Sequence, residues 1–168
     1  MRASAAILEW EPPPLGTIKL NTDATISVTK GMDVSSAVCR DANGSVLRWG
    51  VKLMQGVVDA ELAEAHALLF GVQIASAFPG TSLICESDAS NVINRTLAPV
   101  SAIDPIQLVV NDCVGLVRDR DVVFKFVRRQ CNHVAHTLTK WGIFFGKDCI
   151  SNGNVPFPVN ELIHVSFD

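Results

Sequence analysis

The chain has 168 residues, 48% hydrophobic and 18% charged, which excludes a disordered segment and suits a single folded domain burying roughly two thirds of its unfolded surface. With 14 basic against 17 acidic residues the net charge is −3, so no global field draws the chain to a polyanion. Binding of that kind needs a local patch, and the densest one is Arg118, Arg120, Lys125, Arg128 and Arg129.

Residues 1–16 are expected to form an extended lead-in, because Pro12-Pro13-Pro14 supports neither a ladder nor a helix. From Thr17 to Ala24 the residues alternate, with Ile18, Leu20, Thr22 and Ala24 on one face and Lys19, Asn21 and Asp23 on the other. This predicts a strand with one polar face. A second strand is expected over 36–40, and the turn Asp41-Ala42-Asn43-Gly44 leads to a third over 45–54, which makes an antiparallel meander. The period then changes. Leu62, Ala65, Leu68, Leu69, Val72 and Ala75 follow helical spacing, with Asp59 placed to cap the start and Phe78-Pro79-Gly80 to stop it.

Ser82 to Glu86 reads as a short buried strand, followed by a helix from Ser90 to about Leu97, with Pro99 near its end. Asp104-Pro105 opens another helix through Val117, Val122 to Val127 is a strand, and Asn132 to Phe145 is the last helix. Right-handed crossovers place the later strands parallel to the first. The expectation is an α/β fold with a mixed sheet of about five strands flanked by helices on both faces. Its domain would span 17–146, and a tail over 147–168 would pack on it or trail it.

The five cysteines, Cys39, Cys85, Cys113, Cys131 and Cys149, form no C-x-x-C pair and read as small core residues in a reducing compartment. The apolar run Ala5 to Leu8 is too short for a secretory signal core, so a cytosolic or nuclear location and a monomer are expected. Trp10, Trp49 and Trp141 are expected to be packing residues, since no basic residues interleave with them as on a stacking platform.

Three acidic residues stand beside strand and helix surface that should be buried: Asp23 in the first strand, Glu64 in the long helix and Asp88 after the fourth strand. A carboxylate in such a place needs a proton, a partner or a metal. Each also has a plainer reading. Asp23 could meet a lysine, Glu64 could be a solvated helix residue like Glu61, and Asp88 could cap the next helix.

The segments Trp10-Glu11-Pro12-Pro13, Lys19-Leu20-Asn21-Thr22-Asp23, Arg40-Asp41-Ala42-Asn43-Gly44, Ala63-Glu64-Ala65-His66-Ala67-Leu68, Glu86-Ser87-Asp88-Ala89-Ser90 and Arg129-Gln130-Cys131-Asn132-His133-Val134-Ala135-His136-Thr137-Leu138 run in register through nearly the whole chain. In them the chain resembles ribonuclease H domains, most closely plant proteins in which such a domain stands alone or ends a retroelement-derived polypeptide. The resemblance implies hydrolysis of the RNA strand of an RNA–DNA hybrid by two Mg²⁺ ions about 4 Å apart, with Mn²⁺ as a substitute. Asp23 would bridge both ions, with Glu64, Asp88 and His136 completing the catalytic and metal-binding set. Ser90, Asn91, Arg129 and Asn132 would meet the substrate.

This chain departs from the family pattern in several places. His136 stands where the family usually has aspartate, Ala24 replaces the common glycine after the first aspartate, and no flexible-loop histidine precedes the last helix. An imidazole carries no negative charge, so the second ion should be held more weakly. Two further readings remain open: a catalytically weak or inactive domain that binds nucleic acid, and a protein-interaction domain using an apolar face around Trp141, Ile143 and Phe144.

Overall fold

The computed structural model describes residues 9–57, 59–97 and 104–165. The lead-in before Glu9, the helix stop at Pro99 and the last residues of the tail lie outside them. The elements run β1 (Thr17–Ser27), β2 (Met32–Arg40), β3 (Val46–Gln55), α1 (Ala60–Ala75), β4 (Ser82–Ser87), α2 (Ser90–Leu97), α3 (Pro105–Leu116), β5 (Val122–Phe126), α4 (His133–Phe145) and β6 (Cys149–Ser151). They build one six-stranded sheet in the order β5-β4-β1-β2-β3-β6. β1, β2 and β3 pair antiparallel, while β4 and β5 lie parallel to β1.

The mixed α/β sheet matches the sequence expectation, with one strand more than expected. β6 pairs antiparallel with β3 through Trp49↔Ser151, Gly50↔Ile150 and Val51↔Cys149. It lies in the stretch read as a tail, and Val155 and Val159 beyond it are buried in the core. The helix caps are those the sequence indicates. The Asp59 carboxylate accepts from the backbone N–H groups of Glu61 and Leu62 at 2.8 and 3.2 Å, and Asp104 accepts from that of Gln107 at 2.7 Å.

Two apolar clusters sandwich the sheet. On one face Leu20, Ala37, Cys39 and Cys85 pack against Leu68 and Val72 of α1 and Val110 and Cys113 of α3. On the other, Val34, Val38, Trp49 and Val51 pack under Leu138 of α4 and the C-terminal Val155 and Val159. None of the five cysteines forms a disulfide, and four of them are buried. Among the described residues no helix is long and apolar enough to cross a membrane.

Both covering helices meet the sheet at a glycine. A Cβ on Gly71 of α1 would stand 2.4 Å from Thr22 Cγ2, and one on Gly142 of α4 would stand 2.8 Å from Val34 Cγ1. Thr22 and Val34 are β-branched strand residues with few rotamers to yield into. The two glycines therefore set how closely α1 and α4 approach β1 and β2. Gly71→Ala should destabilise the fold by about 1–3 kcal/mol, read as a lower urea midpoint with an unchanged m-value.

Asp33 of β2 is sealed from solvent, and neither carboxylate oxygen has a hydrogen-bond partner. Burial pushes its carboxyl up to about 6. The folded state then holds this proton more tightly than the unfolded chain, whose carboxyl titrates near ~3.9. Its contribution to stability is complete below about pH 4 and is lost as pH rises through about 6. Asp33→Asn should remove that loss, so that urea midpoints of variant and wild type diverge between pH 4 and 8 in the variant's favour.

Candidate metal centre

β1 carries its polar residues on the face toward α4, and this face is buried: Lys19 is 5%, Asn21 3% and Asp23 1% exposed. Burial is possible because the side chains are paired. Lys19 Nζ lies 3.2 Å from Glu86 Oε2 and donates to the Glu11 carbonyl. Asn21 Nδ2 donates to Glu86 Oε1 and Asn132 Oδ1, both at 3.1 Å, and Asn21 Oδ1 accepts from Trp10 Nε1 at 3.0 Å. Asn132 Nδ2 donates to the Thr22 carbonyl at 2.8 Å. The network joins the lead-in, β1, β4 and the 3₁₀ turn Arg129–Asn132 that precedes α4.

One step further along β1, Asp23 meets two acids brought from elsewhere. Glu64 lies on the second turn of α1, and its Oε1 accepts from the Ala24 backbone N–H at 3.3 Å. Asp88 follows the end of β4, which is parallel to β1 and adjacent to it, so both strands deliver their acids toward the same end of the sheet. One carboxylate oxygen from each of Asp23, Glu64 and Asp88 lies within 4.8 Å of the others. Glu61, by contrast, turns to the surface and pairs with Arg95 at 3.3 Å.

Three carboxylates this close, on a partly buried floor, repel one another. Burial, then the charges of Asp23 and Asp88, push the Glu64 carboxyl up to about 9. Asp23 is also raised, by burial first and then by Asp88, against the lowering effects of His136 and Thr139. Glu64 Oε2 is buried without a hydrogen-bond partner. A set of hard oxygen donors with one left unsatisfied fits an oxygen-loving cation such as Mg²⁺ or Mn²⁺.

His136 stands one turn into α4, with Nδ1 3.0 Å from Asp23 Oδ2. It is a neighbour of the acid trio and bonds to one member through a ring nitrogen. Thr139, three residues on, places its hydroxyl 3.2 Å from the same oxygen and 2.8 Å from Ser36 Oγ. The sequence reading missed Thr139, although it follows Asn132 and His136 at spacings that share one helical face. Asn132, expected to meet the substrate, is 1% exposed, and its amide is used inside the protein. Its amide serves as a strut between α4 and β1. Ser90 and Asn91 are exposed at the start of α2, next to Asp88.

The basic cluster does not act as one patch. Arg120 donates to the backbone carbonyls of Ala75, Phe78 and Thr81 and to Thr81 Oγ1, tying the end of α1 to the approach to β4. Lys125 and Arg128 line a cavity with the buried Lys19 and Glu86. Arg129 leans toward the acids, with Nε 3.5 Å from Asp88 Oδ2.

Comparison with known proteins places this geometry. A family model described as reverse transcriptase-like matches residues 21–142. An Arabidopsis thaliana protein named as a putative ribonuclease H is 25% identical over 160 residues, covering 94% of this chain, which spans about a quarter of that relative's length. Among solved structures, ribonuclease H1 of the archaeon Halobacterium salinarum superposes with a TM-score of 0.68 at 17% identity, over 77% of this chain and 98% of that one. A ribonuclease H1 recovered from compost, solved in complex with an RNA/DNA hybrid, gives 0.67 at 16% identity, over 77% and 98%. The family match spans the strand that carries Asp23, the helix that carries Glu64, Asp88 and most of α4, so the chain belongs to the reverse transcriptase-like family and is a ribonuclease H-like domain.

Proposed function

We propose that the protein is a metal-dependent endonuclease that hydrolyses the RNA strand of RNA–DNA hybrids. The observation that carries this reading is the gathering of Asp23, Glu64 and Asp88 within 4.8 Å on a domain of this family. The hybrid bound to the compost enzyme supports the choice of substrate. A bound divalent cation, Mg²⁺ with Mn²⁺ as substitute, would polarise the scissile phosphate and acidify an attacking water.

The chain's own groups do the rest. Asp23, held by His136 and Thr139 on one oxygen, is the fixed member of the acid set, because strand β1 gives it no freedom to withdraw. Glu64 must shed its proton to join it. Ser90 and Asn91 present small polar groups beside Asp88, where they can meet the backbone and 2′-hydroxyls of an RNA strand. Arg128 and Arg129 are exposed and offer phosphate contacts that fix the strand without reading its bases.

The alternative, binding without cleavage, is favoured by one observation: His136 is occupied by Asp23. The protein-interaction reading draws less support. Trp141 and Ile143 pack against the second core cluster, and Trp141 stacks on Phe145 with ring centroids 4.5 Å apart, leaving Phe144 as the mainly exposed member.

Incubation of the purified protein with a labelled hybrid and Mg²⁺ or Mn²⁺ should cleave the RNA strand, and Asp23→Asn should reduce the rate by about 100-fold or more. A folded protein that binds hybrid without cutting it would transfer support to the alternative. Cation binding should also release protons at pH 7–8, because Glu64, held near 9 when metal-free, must ionise to ligate. Calorimetric titration with Mn²⁺ in two buffers of different ionisation enthalpy should show release of about one proton, lost in Glu64→Gln.

A further inference from the structure

His136 of α4 stands beside the three acids. His136 Nδ1 faces a carboxylate oxygen at 3.0 Å, and a carboxylate only accepts, so Nδ1 carries the proton. The opposite ring nitrogen, Nε2, lies 3.5 Å from Arg129 Nη1. A guanidinium only donates, so Nε2 is the acceptor and its lone pair points at a cation. In these two contacts Nδ1 serves Asp23 and Nε2 faces the Arg129 guanidinium. The same guanidinium places Nε 3.5 Å from Asp88 Oδ2.

We propose that the centre holds one divalent cation, on Asp23, Glu64 and Asp88, and that the Arg129 guanidinium, docked between Asp88 and His136, stands in the place of a second cation. This rests on the cation-binding part of the function proposed above. Charge supports it: a dication and one guanidinium together balance three ionised carboxylates. A second dication would have to enter beside a fixed positive charge, with no free imidazole lone pair to receive it. His136 serves as a positioning residue, holding Asp23 on one side and Arg129 on the other.

Mn²⁺ binding, counted by electron paramagnetic resonance without nucleic acid, tests the proposal separately from hydrolysis. Wild type should bind one Mn²⁺ per chain. Two ions of comparable affinity, or none, would overturn the proposal. One Mn²⁺ without any cleavage of hybrid would keep it while defeating the hydrolytic reading. The double substitution Arg129→Ala with His136→Asp should admit a second Mn²⁺, and a folded double variant that still binds only one would count against it.

Arg129 is 64% exposed, so Arg129→Ala alone should fold and decides the matter if the double variant does not. Removing the like charge should tighten the first Mn²⁺ by about threefold or more. An unchanged affinity would mean that the guanidinium is a bystander.

Discussion

The paired amides of Asn21 and Asn132 are the joint on which the rest of the structure depends. Asn132 reaches across to the Thr22 carbonyl and accepts from Asn21, and so fixes the start of α4 against the middle of β1. From that fixed start, one turn of helix brings His136 to Asp23, and a second brings Thr139 to the same oxygen. A buried amide pair of this kind is directional in a way that an apolar contact is not. It allows one register of helix on strand, because a slip would strand several polar groups away from water.

The same face of β1 thus holds two kinds of buried polarity. Lys19, Asn21, Glu86 and Asn132 form a satisfied network in which opposite charges and amides answer one another. Next to it, Asp23, Glu64 and Asp88 form an unsatisfied one, in which like charges are held together by the frame. The first supplies the rigidity that the second needs. Acids free to move apart would relax their repulsion and leave nothing for a cation to join.

Asp33 shows why a buried acid alone does not make a site. Like Glu64 it has an oxygen without a partner, and burial raises its carboxyl as well. For Asp33, burial is the whole cause, whereas the acids beside Glu64 add their charges to it. An isolated buried carboxyl keeps its proton and weakens the fold as the pH rises. A gathered set can exchange that proton for a metal.

The sequence by itself determined the elements and the main acids. Alternation in β1, helical spacing in α1, and the caps at Asp59 and Asp104 are local signals set by backbone geometry, and they survive in the structure within a few residues. Asp23, Glu64 and Asp88 were legible because each stands beside strand or helix surface that should be buried, within segments that resemble a known family. Only the tertiary structure decided which face of β1 closes over, that Asn132 becomes a strut, and that Arg120 serves backbone carbonyls. It also decided that β6, three residues long and too short to show a period, completes the sheet against β3. The physical reason is range. Periodicity is fixed by neighbours along the chain, whereas burial of a polar group and the partner that makes it tolerable come from residues as far as 124 positions away.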